Sequence, residues 1–365
     1  MAPSPLDAPA ATRRFARRIL RVYADGELTS MIHLGHVTGL WETLARGAGT
    51  SAQIAERATL DERYVREWLF AVAAARIIEF DAPSKRFTLA PARARALAGE
   101  SIYNLSPGSR MVTIGASRLD RIARAFRTGA GVPYSAYLPE FPEIMEDLNR
   151  RRYDALLVSH YLPLARGLVA ELERGIRAID VGTGSGHVLF LLAHAFPRSS
   201  FVGIDDAARP IARARAEAKR RGLVNVRFLR TDAEGIGSLG RFELATMFDA
   251  IHDLSDPPTV VSRLVRALTP GGRFLAVEPR ASSDVSKNIG RSGSAFLYGV
   301  STTYCLPVSR AHGRGGLGTC WGTERARQLL RGAGLTSIED FEAPGNALAS
   351  VFVARRPGRR RSGPR

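Results

Sequence analysis

A short glycine-rich loop near the middle of the chain is the clearest candidate for chemistry. It has the sequence DVGTGSG from Asp180 to Gly186, between an apolar segment and residues suited to a helix. Glycine lets the backbone approach a ligand closely, and the free N–H groups at a helix start attract negative charge. A dinucleotide-binding loop has glycine at its first, third and sixth positions, but here His187 occupies the sixth. The loop also lacks a Walker lysine, so we expect a nucleotide-like ligand other than NAD or ATP.

The region around this loop alternates between short apolar segments and helix-forming segments. Such alternation predicts an α/β fold with a doubly wound parallel sheet. Helices are predicted to begin near Val188, Ala207 and Pro257, and a last helix covers residues 323–334. The sequence therefore predicts a Rossmann-like, seven-stranded sheet, with strands at residues 178–182, 201–205, 226–232, 244–249 and 273–279 and two more within 337–355.

The first hundred residues are instead predicted to form helices and one small hairpin. A helix is expected over residues 29–47, and Thr50 with Gln53 fits a capping box for the next helix. Asp61 is a suitable N-cap for a third helix over residues 62–76. Three helices followed by two short strands indicate a winged helix, the strands lying at residues 77–80 and 86–90.

A winged helix raises the question of DNA binding, with the helix over residues 62–76 in the major groove. The first turns of that helix mix Glu62 and Glu67 with Arg63 and Arg66. A helix that reads the groove presents a mainly basic and amide surface. We therefore expect this module to pack on a partner subunit or on the next domain and not to read DNA. The apolar face of the helix consists of Val65, Trp68, Leu69 and Val72.

The length of 365 residues suits two domains, and the net charge of +17 is concentrated at the ends. Eleven arginines lie within residues 13–21 and 355–365, which leaves about +6 for the remaining chain. We interpret this as biased composition and not as a nucleic-acid footprint. The predicted organisation is a basic N-terminal helix or arm (1–28), a winged helix (29–110), connecting helices (111–164), an α/β domain (165–356) and a disordered basic tail (357–365).

Several classes of protein are disfavoured by composition. No apolar run reaches the roughly 20 residues that span a bilayer, and no signal-peptide core is present, so we expect a cytoplasmic protein with no membrane partner. Cys305 and Cys320 are too few for a disulfide framework and lack metal-ligand spacing, so we expect no metal. Residues 281–321 show little periodicity and are a candidate lid or pocket wall.

The loop pattern, acidic-x-Gly-x-Gly-x-Gly, resembles the first motif of class I S-adenosylmethionine (SAM) methyltransferases. Its companions occur in the expected order: Asp205 lies 19 residues beyond Gly186, and the segment from Thr269 to Pro279 resembles the turn and fifth strand of those enzymes. The resemblance implies that Asp205, or Asp206 in its place, accepts the ribose hydroxyls. The cofactor-binding residues implied in this way are Asp180, Gly182, Thr183, Gly184, Gly186, Asp205, Asp206, Asp232, Ala233, Phe248 and Asp249.

The resemblance extends over about residues 29–355. The winged helix, the stretch GVPYSAY (residues 131–137) and a late CLPVS…GLGTCWG (residues 305–322) together resemble a group of bacterial winged-helix methyltransferases. This group is similar to the plant and polyketide-tailoring O-methyltransferases. The resemblance implies a homodimer formed by the N-terminal domain, which also supplies a substrate wall. It also implies that Tyr134 and Tyr137 line the cofactor mouth.

The stretch IHDLSD (residues 251–256) resembles the segment that carries the general base of those O-methyltransferases, which makes His252 the implied base. A histidine suits the task because its ordinary pKa of about 6.5 leaves it basic at cellular pH. Leu254 stands where the relatives have tryptophan, and Asp253 is a candidate substrate contact or a helix cap. His312 is a second candidate for proton transfer. Further candidate substrate contacts are Glu278, which instead could stabilise a turn, and the aromatic residues Phe296, Tyr298 and Tyr304.

The leading hypothesis is therefore SAM-dependent methyl transfer to a hydroxyl of a small apolar or aromatic metabolite. Two alternatives stay open. The first is a SAM-binding transcriptional regulator whose winged helix contacts DNA. The second is a methyltransferase that acts on RNA or protein, for which the basic ends would be useful.

Overall fold

The computed structural model describes residues 9–311 and 316–358, which divide into one unit up to Thr113 and a second unit from Ile114 onwards. No helix among these residues is long and apolar enough to cross a membrane. The predicted candidate His312 and the last residues of the predicted basic tail, 359–365, lie outside the described residues.

The first unit is mostly helical. A long helix α1 (Ala10–Val37) ends before Gly39, whose φ of 72° interrupts the chain, so the single helix predicted over residues 29–47 is wrong. The boundary predicted at residue 28 lies inside α1. The predicted capping box at Thr50 and Gln53 and the N-cap at Asp61 are both confirmed. The remaining elements are α2 (Leu40–Arg46), α3 (Ser51–Ala58), α4 (Glu62–Ala74), β1 (Glu79–Asp81), β2 (Arg86–Thr88), α5 (Pro91–Leu97) and α6 (Ser109–Ala116), which ends in the second unit.

The core of the first unit is built around two tryptophans. The rings of Trp41 and Trp68 meet edge to face with centroids 4.7 Å apart, and each indole N–H donates to a carbonyl of α1. Gly35 lies against both rings, where a Cβ would collide with Trp68. The apolar face of α4 is buried in this core of its own unit, and the predicted packing on a partner subunit or on the next domain stays a prediction. On the outside of α4, Arg63 pairs with Glu67 along the helix, which leaves a surface of mixed charge.

The second unit contains the predicted seven-stranded sheet, which confirms the fold class. The strand order is β5-β4-β3-β6-β7-β9-β8, with β9 antiparallel to both of its neighbours. Its strands are β3 (Arg177–Val181), β4 (Ser200–Asp205), β5 (Val226–Arg230), β6 (Phe242–Phe248), β7 (Leu268–Pro279), β8 (Thr336–Ala343) and β9 (Asn346–Arg355). Its helices beyond α6 are α7 (Leu119–Thr128), α8 (Glu140–Leu156), α9 (Leu168–Arg174), α10 (His187–Ala195), α11 (Ala208–Arg220), α12 (Pro257–Ala267), α13 (Ser294–Val300), α14 (Leu306–Arg310) and α15 (Thr323–Gly332).

Both faces of the sheet are buried, which explains the nearly continuous apolar runs in its central strands. Ala178 of β3 packs in the cluster on one face, and its neighbour Ile179 packs in the cluster on the other. The chain reverses its direction of winding between β3 and β6, which are adjacent and parallel. Ligands of such sheets bind outside the carboxyl ends of the strands at this switch point.

The segment predicted to have little regular structure, residues 281–321, is in part helical. α13, a π-helical turn (Ser301–Cys305) and α14 form one continuous helical run from residue 294 to 310. Buried residues recur at intervals of three or four positions from Ser294 through Leu297, Ser301 and Tyr304 to Val308, and Cys305, Pro307 and Ser309 beside them are buried as well. This is the periodicity of a packed helix. Serine, threonine and glycine between these positions conceal the pattern in the sequence.

Candidate active site

The glycine loop leaves the carboxyl end of β3 with all three glycines at positive φ, namely 76°, 54° and 85° at Gly182, Gly184 and Gly186. Side chains other than glycine rarely adopt this conformation. The N–H groups of Gly182 and Thr183 donate to the carbonyl of Ile204, which fastens the loop to β4. A Cβ on Gly186 would collide with Phe228, whereas a Cβ on Gly184 would meet no atom of the described chain within 4 Å. The loop is therefore packed at its base and open at Gly184.

Asp205, at the end of β4, joins this loop to the start of α11. Its Oδ2 accepts from the N–H of Gly184 at 3.0 Å and its Oδ1 from the N–H of Ala207 at 2.9 Å. Burial raises the pKa of this half-buried carboxyl. Each of its oxygens keeps a second lone pair for a ligand hydroxyl. The alternative, Asp206, is exposed.

Asp180 lies beneath the loop on β3 and is buried. Its Oδ1 accepts from the hydroxyl of Thr246 on β6 at 2.7 Å, which links the two strands at the switch point. Burial raises the pKa of Asp180 from its ordinary 3.8 to about 7. The free protein therefore holds an uncharged or partly charged carboxyl under the loop at neutral pH.

The other predicted cofactor residues occupy the ends of β5 and β6. Asp232 is exposed and its Oδ1 accepts from the N–H of Glu234, so it caps the short 3-10 helix that begins at Ala233. Phe248 is half-buried and meets Tyr153 edge to face. Asp249 has a φ of 51°, and burial raises the pKa of its carboxyl to about 6.

Helix α8 supplies contacts that sequence reasoning missed. Tyr153 donates to Asp249 Oδ2 at 3.3 Å, and Asn149 donates to the same oxygen at the same distance. Glu146 accepts from the hydroxyl of Ser185 in the glycine loop. Arg152 is 7% exposed, and its Nε has no hydrogen-bond partner within the described chain. A buried cation with an unused donor signals a role in holding an anionic group, but nothing in the local sequence distinguishes it from the neighbouring arginines.

His252 lies in a 3-10 turn (Ile251–Asp253) just after β6 and is 5% exposed. Its Nδ1 is 2.8 Å from Oε2 of Glu278, which is 1% exposed at the end of β7. Because a carboxylate accepts and does not donate, Nδ1 carries the hydrogen and Nε2 is directed away from Glu278. Nε2 lies 3.5 Å from Oδ1 of Asp253.

Glu278 is held by further donors. Its Oε1 accepts from the N–H groups of Ala250 and Ile251 at 3.2 and 2.8 Å, and its Oε2 accepts from the indole N–H of Trp321 at 3.2 Å. Glu278 therefore stabilises a turn, as one of the two interpretations expected, although the turn follows β6 and not β7. The predicted contact between Glu278 and substrate stays a prediction.

The electrostatics of this cluster favour a strongly basic histidine. Burial alone would lower the pKa of His252, but the carboxylates of Asp253 and Glu278 outweigh burial and hold that pKa well above its ordinary value. Burial raises the pKa of Asp253, and it raises that of the adjacent Cys305 thiol to about 11.

The predicted aromatic residues divide into two groups. Tyr304 is 2% exposed, stacks on Phe141 with centroids 3.5 Å apart and meets Tyr137 edge to face. Tyr137 is fully buried and donates to the carbonyl of Thr303, and its predicted place at the cofactor mouth stays a prediction. Tyr134 is half-buried, and its pKa is raised to about 12 by burial and by the charges of Asp205, Asp253 and Asp206. Tyr134 thus faces both carboxylate groups of the site.

The remaining predicted aromatics lie on α13. Phe296 is 38% exposed, and the hydroxyl of Tyr298 accepts from the side-chain amide of Asn288. Within the described residues, Phe296 and Tyr298 make no ring contact with Tyr304. Their role as substrate contacts stays a prediction.

Comparison with known families accounts for both units. Residues 26–99 match the Rv2258c-like winged HTH domain, and residues 172–332 match a methyltransferase domain. The chain therefore consists of an N-terminal winged helix-turn-helix domain and a methyltransferase domain with the class I SAM-dependent fold. The two matches agree, domain by domain, with the winged helix and the methyltransferase fold predicted from the sequence.

Two curated relatives match parts of the chain. It is 35% identical over 137 residues to aklanonic acid methyltransferase DauC of Streptomyces sp. (strain C5), covering 36% of this chain and 62% of the relative. It is 37% identical over 132 residues to nocamycin O-methyltransferase of Saccharothrix syringae, covering 35% and 47%. The chain thus spans about half to three-fifths of the length of these relatives.

A solved structure resembles nearly the whole chain. Human N-acetylserotonin methyltransferase, in complex with SAM, superposes with a TM-score of 0.69 and covers 94% of this chain and 99% of its own. The sequence identity is 15%, so this likeness shows the shared fold alone.

The buried Asp180 makes the stability of the fold depend on pH. Its folded-state pKa is about 7 against an ordinary 3.8, so its contribution is fully present below about pH 4 and is lost as pH rises through 7. Asp180→Asn removes this titration and still accepts from Thr246. We expect the free energy of unfolding of wild type, relative to the variant, to fall between pH 4 and 8 by about 1.4 kcal/mol per unit of pKa difference. Urea unfolding of both proteins across this range measures it; a difference that does not change with pH would contradict the buried, raised carboxyl.

Proposed function

We propose that the protein transfers a methyl group from SAM to a hydroxyl of a small apolar or aromatic metabolite, with His252 as the general base. The observation that carries the proposal is the buried His252–Glu278 pair, which lies at the carboxyl edge of the sheet beside the glycine loop. One of the relatives is an O-methyltransferase, which supports transfer to oxygen.

The residues of the loop region fit the cofactor. The open side of Gly184 gives the ligand access to the backbone, and Asp205 has lone pairs left for the two ribose hydroxyls. Asp232 and Ala233 would contact the adenine, and the unused Nε of Arg152 suits the cofactor's carboxylate. When bound, SAM supplies a methyl group on a positively charged sulfur, which an oxygen lone pair can displace in line. Tyr134 would cover the space between the loop and the histidine.

His252 and Glu278 supply the proton acceptor. Glu278 fixes the Nδ1–H tautomer, which leaves the Nε2 lone pair to take the proton of the acceptor hydroxyl as its oxygen bonds to the methyl carbon. The carboxylates of Asp253 and Glu278 hold the pKa of His252 high, so the imidazole first loses its Nε2 proton to solvent and then accepts the hydroxyl proton more strongly than an ordinary histidine does. This strength suits an alcohol or phenol, whose proton is weakly acidic.

Buried aromatic residues suit an apolar acceptor. Phe141 and Tyr304 form a stacked pair, and Tyr134 meets the edge of Phe141 with centroids 6.2 Å apart. Such surfaces accept a ring and exclude water, which would otherwise compete for the base.

We also propose that the N-terminal domain forms a homodimer and does not read DNA. The first turns of α1 are exposed, and they carry large apolar side chains. Phe15 and Val22 lie seven residues apart on one side of the helix and are 61% and 54% exposed. An apolar stripe of this kind is buried by a partner in stable proteins, and a second copy of the chain carries the same stripe. The ion pairs along α4 leave little of the free positive charge that DNA requires.

A cytoplasmic location is part of the same proposal. Cys305 and Cys320 are both free thiols, as a reducing compartment would keep them.

The cofactor site is tested with two adjacent carboxylates. Asp205→Ala removes the predicted ribose acceptor, and we expect SAM to bind roughly ten- to a hundredfold more weakly, since hydrogen bonds to a charged group contribute about 1.5–3 kcal/mol. Asp206→Ala is the matched control and should bind as wild type does. Calorimetry with SAM measures both. Equal affinity in wild type and Asp205→Ala would exclude this ribose site, and no SAM binding by wild type would exclude the proposed function.

The base is tested by separating binding from turnover. His252→Ala should lower kcat on a hydroxylated aromatic acceptor by about 10²- to 10⁴-fold, because general-base catalysis contributes that much, while SAM affinity stays unchanged. His160→Ala, at an exposed histidine of the same domain, controls for the substitution. Full turnover by His252→Ala would show that another group accepts the proton. SAM binding without turnover on any acceptor, combined with salt-sensitive duplex binding, would favour the regulator.

The dimer is tested on α1. The double variant Phe15→Ser with Val22→Ser should shift the protein from dimer to monomer in sedimentation velocity, because it removes the exposed apolar stripe. Arg14→Ser with Arg21→Ser has the same spacing on a neighbouring side of α1 and should stay dimeric. A wild type that sediments as a monomer at all concentrations would rule the proposal out.

A further inference from the structure

We infer that His252, Asp253 and Cys305 form a binding site for a divalent cation of borderline softness, such as Zn²⁺. One ligand atom from each residue lies within 4.8 Å of the other two. Zinc holds nitrogen, oxygen and sulfur ligands at about 2.0–2.3 Å in a tetrahedral arrangement, which places them roughly 3.3–3.8 Å from one another. A small contraction of the cluster would therefore create the site.

The histidine is already oriented for a metal. Glu278 accepts the Nδ1 hydrogen of His252 at 2.8 Å, so the Nε2 lone pair is on the side of Asp253 and Cys305. A carboxylate on the far nitrogen of a histidine is the usual outer partner of a zinc-bound imidazole and raises its strength as a ligand. The side chain of Glu278 is buried and tied to two backbone N–H groups, so this orientation is rigid.

Asp253 and Cys305 are also placed to bind a cation. Cys305 is buried on the π-helical turn, and the hydroxyl of Thr319 donates to its sulfur at 3.0 Å, a contact that would also stabilise the thiolate formed when a cation displaces the thiol proton. Oδ1 of Asp253 is buried and makes no hydrogen bond to any residue that the structure describes. A thiolate and a carboxylate together balance the charge of a divalent cation.

The ligand types decide which cations fit. One nitrogen, one oxygen and one sulfur favour Zn²⁺ or Co²⁺ over Mg²⁺ or Ca²⁺, which prefer oxygen alone. Three protein ligands leave the fourth position of a tetrahedral ion to a small molecule. A cation at this place would use the Nε2 lone pair of His252. Its effect on turnover rests on the proposed function, in which the same lone pair takes the proton of the substrate hydroxyl. Methyl transfer itself needs no metal, so a cation bound to this lone pair inhibits the reaction.

The experiment titrates the full-length protein with Co²⁺. Cobalt bound to a thiolate absorbs in the near ultraviolet, and we expect this band to saturate at one equivalent and to disappear when Zn²⁺ is added. Cys305→Ser should lack the band and bind Zn²⁺ at least about tenfold more weakly in calorimetry. Cys320→Ser, at the other thiol of the chain, should keep both. Glu278→Gln should keep the band but weaken binding, since outer partners contribute about 10- to 100-fold.

The outcomes separate the metal site from the enzyme. Absence of the band in wild type, or equal Zn²⁺ affinity in wild type and Cys305→Ser, would overturn the inference. Circular dichroism confirms that each variant is folded, and the serine variant is isosteric enough to keep the helix. If the band forms but no acceptor is methylated, the proposed function fails and the metal site stands. If an acceptor is methylated but no band forms, the metal site fails and the proposed function stands.

Discussion

The candidate site depends on the buried carboxylate of Glu278. Removing an unpaired carboxylate from water costs several kcal/mol, so Glu278 is tolerated at the end of β7 only because four donors surround it. Two of these donors are backbone N–H groups of the turn after β6, one is His252, and one is Trp321. The carboxylate therefore fixes the shape of the turn, the orientation of the imidazole and the position of the chain before α15. An apolar residue at 278 would leave all three without their common partner.

The sheet brings this centre to the glycine loop. β3 and β6 are neighbours at the switch point, so the loop after β3 and the turn after β6 leave the sheet side by side. The hydrogen bond from Thr246 to Asp180 crosses between these two strands beneath the loop. At the end of β6, the N–H of Asp249 donates to Val277 of β7 with Asp249 in a left-handed conformation, which redirects the chain into the histidine turn. The local geometry of the three strand ends thus places a nucleotide-type loop beside the buried histidine.

The parts of this arrangement that are visible in the sequence are those with local causes. The strands are evident because residues such as Ile179 and Ala245 lie in runs buried on both faces, and the loop because its glycines need positive φ. Contacts between distant segments leave no such pattern. The pairing of His252 with Glu278 joins residues 26 positions apart, and the approach of Cys305 depends on a helical run that serine and threonine conceal. Arg152 resembles the partly buried Arg150 and Arg151 in sequence, and only the packing of α8 shows that it is the more deeply buried.

The distribution of acids suggests why the site attracts positive charge. Asp180, Asp205, Asp249 and Asp253 are all carboxyls at or near the carboxyl edge of the sheet whose pKa is raised by burial. Keeping these groups together destabilises the free protein whenever they ionise, because each charge lacks water and faces other negative charges. A cation that enters the site relieves this repulsion and lowers the pKa of the carboxyls around it. The electrostatic free energy by which the buried acids destabilise the free protein therefore favours the binding of a cation. A divalent ion beside Asp253 would relieve the repulsion in this way, so the buried acids around the histidine turn also favour the proposed inhibition.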